Sequence, residues 1–579
     1  MTHKSKSRER EVVPQRWIPW LVPALIALIT LAAFLPTLHN QFVNWDDHNN
    51  LLDNPHYRGL GGPQLRWMIT AFYMGHYIPL TWMTFGLDYL LWGMKPFGYH
   101  LTSLLLHAAN AVIFYFLARR LLGLALPGPA EPGRAGLALS AGVAALLFAL
   151  HPLRVESVAW ATERRDVLSG LFYLLAILVY LRGRGPGERS QRWHWGALAL
   201  FACALLSKSM AVSLPVVLLI LDVYPLRRLG GSIGWWGEPA RRVYVEKIPF
   251  VLLALATSAI AFLALFQIHN MAPLAQVSVL GRLAVSAFGL GFYLWKTVVP
   301  VSLSPLNELG FVNPWAPPFL LSYGVVLALT ALALTLRRRF PALPAAWLAY
   351  VVILLPVLGI FQNGPQIVAD RYTYLACLGW AILAGAGLLS CWRLIPFLVS
   401  GLVVCVLLAL GTLTWNQVQI WHDSARLWTH ALAIDPKSPY ALNNLGIALA
   451  EQGGWAEAIA HYQQALRVKP DYADAHSYWG VALDEQGRWA EAIAHYQQAL
   501  RIKPDYADAH NNWGVALAEQ GRWTEAIKHY RQALHIDPDY TPARSNLVNT
   551  LRDLGRRNEA MEYSKNPDVA PSRAGKKLE

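Results

Sequence analysis

Ala441-Leu442-Asn443-Asn444-Leu445-Gly446 opens a segment that the chain repeats, its glycine returning at Gly480 and Gly514, each 34 residues on. Trp455, Trp489 and Trp523 keep the same period, as do Pro470, Pro504 and Pro538, and Gly453, Gly487, Gly521 and Gly555. A small residue, Ala458, Ala492, Ala526 or Ala560, occupies the place where two antiparallel helices would touch most closely. A fixed period of this length predicts a solenoid of helix pairs, each burying its apolar face against the next.

The pattern is the tetratricopeptide one. Full repeats are expected at 438–471, 472–505 and 506–539, with a degenerate repeat over 540–564 and a lone second helix over 421–436. The Lys-, Arg-, Pro-, Ser- and Gly-containing tail, 565–579, is expected to be disordered. Asn444, Asn512 and Asn546 share one position in the concave groove, with Tyr478 as the exception. An Asn amide both donates and accepts, so a row of them grips an extended peptide without demanding its sequence. The repeats resemble those of O-GlcNAc transferase in Ala441 to Gly446, which implies a peptide groove lined by these asparagines. The plain alternative is Asn that caps a helix or faces solvent.

Outward from the repeats, the composition changes. The 579 residues are 55% hydrophobic and only 15% charged, more apolar than one soluble core requires. Stretches at 17–38, 98–118, 137–155, 166–182, 194–207, 210–226, 248–267, 318–336, 343–361, 370–390 and 394–415 have the length and apolarity expected of membrane spans, eleven in all. The net charge of +13 comes from short basic clusters between those stretches, which set topology rather than form a face for nucleic acid. A basic cytoplasmic N-terminus, 1–16, then places Arg119-Arg120, the Arg227 to Lys247 loop and Arg337-Arg338-Arg339 in the cytoplasm. A full crossing by 282–301 would move the triple arginine outside, so that segment is expected to be re-entrant or to lie against the bundle. An odd count leaves 421–564 on the exported side. Cys203, Cys377, Cys391 and Cys405 lie in apolar segments with no ligand spacing, and no metal site is indicated.

Ionisable residues gather in the exported loops. Asn44-Trp45-Asp46-Asp47-His48 follows the first apolar stretch, and adjacent acids near lipid are costly to hold. The 151–166 loop carries His151, Arg154, Glu156, Glu163, Arg164, Arg165 and Asp166, while Lys208, Lys296, Asp370, Arg371 and Tyr372 belong to the same face. Together they predict a wet cavity with cations for an anionic group and carboxylates able to act as base. Each residue also has an ordinary reading. Arg164 and Arg165 would anchor a helix end and pair with Glu163 and Asp166, Asp46-Asp47 would cap a helix, and Lys296 would snorkel. His100 and His107 are expected to be packed interior histidines.

The ordered set Asp46-Asp47, Asn54-Pro55, Tyr99-His100-Leu101 with His107, His151-Pro152 with Glu156, Arg165-Asp166-Val167-Leu168, Lys208-Ser209, Leu303-Ser304-Pro305 and Asp370-Arg371-Tyr372 covers nearly the whole chain. It resembles the transmembrane and tetratricopeptide repeat-containing protein O-mannosyltransferases, glycosyltransferases of the GT-C fold. The resemblance implies an all-α fold: a polytopic GT-C-like bundle over 17–415 and a solenoid over 421–564. It implies sugar transfer, mannose by analogy, from a polyprenyl-phosphate donor to Ser or Thr hydroxyls of exported protein. Catalysis falls to Asp46 and Asp47, with Asp46 as general base and Asp47 orienting the acceptor or a cation. Arg154, Arg165, Lys208, Lys296 and Arg371 would contact the donor phosphate, and His151, Glu156, Asp166, Asp370 and Tyr372 would line the cavity. Where relatives often read Tyr-Arg-Pro-Leu, this chain has Tyr77-Ile78-Pro79-Leu80 and loses a cation.

No cofactor is expected beyond the lipid-linked sugar, and any divalent-metal requirement is open. The expected partners are membrane lipid, the donor, and an acceptor protein on the repeats, with no nucleic acid. The compact loops and the absence of an endoplasmic-reticulum retrieval signal fit a bacterial inner membrane. Two other classes stay open: a transferase acting on a lipid or glycan, and a non-catalytic membrane-anchored scaffold for envelope assembly.

Overall fold

The computed structural model describes residues 18–126, 134–184, 191–267, 277–308, 310, 312–360, 366–392 and 395–564. The N-terminus 1–16 and the tail 565–579 lie outside the described residues. The chain divides into two compact units, Met1–Asp423 and Ser424–Glu579.

In the first unit every stretch marked as a span is largely helical over its described residues. Helix Pro96–Ala125 starts on a proline, whose fixed φ suits a first turn that has no partner for its N–H. It packs against Ile18–Ala33, Arg134–Ala149 and Arg164–Arg182. Several of its polar groups find partners inside the protein. Asn110 Nδ2 donates to Val167 O and Tyr374 Oη, both at 2.8 Å. His107 meets Tyr374 Oη at 2.9 Å and Ala149 O at 3.1 Å, and with His100 it is fully buried, the packed interior histidines the sequence implies.

Among the described residues four helices, Pro96–Ala125, Glu238–Phe266, Pro317–Leu336 and Pro396–Ile420, are long and apolar enough to cross a bilayer. A fifth crossing is possible if Ala135–Ala149 and Pro152–Ala159, bent by 58°, act as one span. The other marked stretches form shorter helices such as Ile18–Ala33 and Leu214–Val223, at 16 and 10 residues, or helices with charged ends such as Arg164–Arg182. Residues 282–301 fall mostly in helix Val279–Val298, which does not meet that measure. Among the described residues of this unit one short antiparallel sheet pairs Asn307–Glu308 with Gln366–Val368.

The second unit opens with helix Ser424–Ile434. Four helix pairs follow: Pro439–Glu451 with Trp455–Val468, Ala473–Asp484 with Trp489–Ile502, Ala507–Glu519 with Trp523–Ile536, and Thr541–Asp553 with Arg557–Ser564. The periodic glycines have a steric cause. A Cβ on Gly446, Gly480 or Gly514 would stand 2.5 Å from the ring of Tyr462, Tyr496 or Tyr530, too close for any real contact. Gly453, Gly487, Gly521 and Gly555 turn the chain between paired helices at φ of 72° to 84°, open to glycine at least cost.

Candidate active site

Past Ile18–Ala33 the chain runs through a short turn, Leu35–His39, into Asn44-Trp45-Asp46-Asp47. The two aspartates meet opposite environments. Asp47 is fully buried, and its carboxylate accepts hydrogen bonds from Val43 N at 3.1 Å, Thr162 N at 2.9 Å and Thr162 Oγ1 at 2.6 Å. Burial nonetheless pushes it up to about 6, against the pull of those bonds. Asp46 keeps part of its surface open, and among the described residues its carboxylate accepts no hydrogen bond. Burial within the surrounding protein raises its pKa, opposed by the charges of Arg165 and Arg371. One acid is a fixed strut tying the first loop to the 151–166 loop; the other is a carboxylate with no bonded donor.

Glu163 is the hub of the charged groups beside it. Its side chain is fully buried and takes Arg165 Nε at 3.1 Å and Nη2 at 2.5 Å, and Lys208 Nζ at 2.8 Å. Arg371 Nε lies 3.4 Å away. Burial alone would raise its pKa, yet Arg165, Lys208 and Arg371 together hold it well below the ordinary carboxylate range. Lys208 also reaches Asp166 Oδ1 at 2.7 Å, and Ser157 Oγ donates to Asp166 Oδ2 at 3.2 Å. Arg371 in turn binds Glu156 through its backbone N at 2.8 Å and through Nη1, and its guanidinium lies over the rings of Tyr372 and Trp160. The pairing holds the buried charges near neutrality, the condition for keeping them in the interior.

The other marked residues stand apart in role. Arg154 is 1% exposed, donates to Thr373 Oγ1 at 2.9 Å and lies over the rings of Phe148 and Tyr374. Lys296 donates to Val301 O at 2.6 Å and Ser302 O at 3.2 Å, closing the end of its own helix. His151 meets Thr297 O through Nε2 at 3.0 Å and accepts from Leu153 N. Asp370 is buried near the charges of Glu156, Lys296 and Arg154, and Tyr372 Oη accepts from Gln366. Arg165 pairs with Glu163 as the ordinary reading expects. Arg164 does not: it turns away to Asp88 at 2.5 Å and Tyr99 O at 2.7 Å.

Three participants gave no signal as motifs. Glu163 looked like one acid in a charged run, Thr162 is a lone threonine, and His76 stands 30 residues from the aspartates. A tight turn brings His76 in, with Met74 at φ 48° and Gly75 at φ 73° and paired backbones of Tyr73 and His76. Burial, then the charge of Arg165, pushes the His76 ring down to about 3, so it is neutral near physiological pH. Ile78 is buried in an aromatic cluster with Tyr57, Trp82 and Phe85.

In the repeats, Asn444 and Asn546 are buried and Asn512 is half-buried. Asn546 Nδ2 donates to Asn511 Oδ1 at 2.9 Å, and Asn511 Nδ2 to Asn512 Oδ1 at 3.1 Å. Two of the three asparagines are thus joined through Asn511 in a ladder within the solenoid. Tyr478, at the exceptional position, is exposed. No group of three or more metal-ligating side chains occurs among the described residues.

Models of the tetratricopeptide repeat match residues 427–460, 448–487, 480–521 and 507–540. Over 447 residues the chain is 26% identical to Protein O-mannosyl-transferase Tmtc3 of Drosophila melanogaster, covering 67% of this chain and 48% of that protein. It is also 26% identical over 493 residues to Protein O-mannosyl-transferase TMTC1 of Homo sapiens, covering 76% and 54%. The chain spans about half the length of the curated relatives it matches. Among solved structures, MamA matches 24% of this chain and 81% of its own at 25% identity, with a TM-score of 0.22. The curated homologues are protein O-mannosyl-transferases, the relationship that the ordered motifs implied.

Proposed function

We propose that the chain is a GT-C type membrane glycosyltransferase that moves a sugar, mannose by analogy with its relatives, from a polyprenyl-phosphate donor to Ser or Thr hydroxyls of exported protein. The observation that carries this reading is the contrast between the two aspartates, one locked by three donors and the other unbonded beside Arg165 and Arg371. In this scheme a hydroxyl oxygen of the acceptor attacks the anomeric carbon and the carbon–oxygen bond to the lipid phosphate breaks. The hydroxyl proton passes to the Asp46 carboxylate, whose raised pKa makes it the better base. Asp47 orients the backbone that presents Asp46.

The leaving phosphate needs cations that are not wholly spent. Arg165 gives Nε and Nη2 to Glu163, and Arg371 gives Nη1 to Glu156. Among the described residues Nη1 of Arg165 and Nη2 of Arg371 take no partner, and an arginine holds five N–H donors in all. Lys208 completes the anion-stabilising set. Arg154, whose Nε and Nη1 take no partner among the described residues, belongs with them, whereas Lys296 is bonded to the carbonyls at its own helix end. A single displacement with one base predicts inversion. The positive-inside pattern puts the site and the solenoid on the exported face of an eleven-span inner-membrane protein, with the acceptor held by the repeats.

A second reading, transfer to a lipid or glycan, is favoured by one observation: Asn444 and Asn546 are buried rather than open to a peptide. The experiment is incubation of the purified chain in lipid nanodiscs with radiolabelled polyprenyl-phosphate mannose and an extract of exported proteins. Label in protein, released by β-elimination with the opposite anomeric configuration to the donor, is the expected result. Label only in peptide-free glycan or lipid would replace the acceptor assignment. No transfer with any of a panel of polyprenyl-phosphate sugars would leave the scaffold reading.

A further inference from the structure

A second feature of the first unit lies away from the acids. A cavity of about 800 Å³ opens between helices Pro96–Ala125, Arg164–Arg182, Leu214–Val223, Ala342–Leu354 and Leu378–Trp392, within the roughly 300–1,000 Å³ usual for ligand pockets. Its wall is almost wholly apolar, and no acidic residue lines it. The charged residues on it are Arg227, Arg338 and Arg339. All three follow the C-terminal ends of helices, where Leu126 also lines the cavity.

These arginines differ from their basic neighbours. Arg228 and Lys247 are held by buried Asp222, at 2.8 Å and 2.6 Å. Arg227, Arg338 and Arg339 are exposed and, among the described residues, carry no ion pair. An apolar slot between bundle helices with uncompensated guanidinium groups at its mouth matches the chemistry of a two-part amphiphile: acyl chains inside, phosphate outside. The positive-inside pattern assigns that mouth to the cytoplasmic leaflet, where anionic glycerophospholipid is at hand.

We infer that the cavity is a binding site for one anionic glycerophospholipid, its phosphate on Arg227, Arg338 and Arg339 and its chains between the helices. The site is separate from the sugar-transfer groups and does not depend on what they transfer. It is tested by native mass spectrometry of the full chain, delipidated in detergent and given phosphatidylglycerol, phosphatidylcholine or a polyprenyl phosphate. The wild type is expected to retain one phosphatidylglycerol in preference to phosphatidylcholine. Arg227→Ala/Arg338→Ala/Arg339→Ala is expected to retain it at least about ten-fold less well, and the matching triple Lys variant to keep it. Ala349→Trp, which fills the wall without touching the arginines, is expected to lose it too. Thermal melting confirms that each variant is folded. Equal retention of the two phospholipids, full retention by the alanine or tryptophan variant, or preference for the polyprenyl phosphate would each overturn the assignment.

Discussion

In the repeat unit the decisive contacts are short-range and recur: Gly446, Gly480 and Gly514 each face a tyrosine of the partner helix, and Asn546 meets Asn511 35 residues away. The charged site of the first unit is assembled the other way. Thr162 reaches Asp47 across 115 residues, Lys208 reaches Glu163 across 45, and Arg371 reaches Glu156 across 215. The solenoid stores its stability in interchangeable steps. The charged site stores it in one network that no single residue can leave without exposing another to an unpaired buried charge.

Breaking the hub is therefore expected to have the largest effect. Glu163→Gln leaves Arg165 without its bidentate partner and should destabilise the first unit by about 3–5 kcal/mol, read as a fall in melting midpoint in detergent. A midpoint within a degree of wild type would mean that the network is not cooperative. Gly480→Ala should cost about 1–3 kcal/mol by pushing against Tyr496. Because repeats couple mainly to neighbours, hydrogen exchange should rise over 473–502 and its flanks and stay unchanged across 96–182. Uniform loosening of both units would erase the distinction.

A smaller, pH-dependent effect is expected within the repeats. His476 and His495 bring their Nδ1 atoms within 3.2 Å, and His510 and His529 within 3.1 Å. Trp479 stacks on His495 and Trp513 on His529. Burial, then the facing histidine, pushes His495 and His529 down to about 4, while Glu491 and Glu525 pull the other way. An unfolded histidine takes its proton near 6.5, well before these folded ones do. The stability they contribute is thus present above pH 6.5 and lost as pH falls from 6.5 towards 4. Exchange over 473–536 should rise in that window and be blunted in His495→Asn/His529→Asn.

The same contrast explains what could be read in advance. Period, turn glycines and close-contact alanines are each local, so the repeats themselves were legible from the sequence. Asp46, Asp47, Arg165, Lys208 and Arg371 were legible as ionisable groups where lipid makes charge costly, and the structure gathers them. Glu163 as hub, Thr162 as the clamp on Asp47 and His76 were not, because their partners are set by tertiary packing. Arg154 and Lys296 looked alike from charge alone, but Lys296 is bonded to Val301 O and Ser302 O while Arg154 keeps Nε and Nη1 without a partner among the described residues. Of the eleven expected spans, four helices among the described residues, or five with the bent pair, qualify by length and composition; the other stretches form shorter or charge-ended helices.

The central claim is the division of labour between the aspartates, and Asp46→Asn and Asp47→Asn, compared in one mannosyl-transfer assay with melting measured alongside, tests it most directly. The account predicts that Asp46→Asn loses about 10²–10⁴ in transfer rate with an unchanged midpoint and no rise of rate with pH through the raised carboxylate range. Asp47→Asn should lower the midpoint, its unsatisfied partners costing about 1–3 kcal/mol of stability. Wild-type transfer by folded Asp46→Asn would contradict the account.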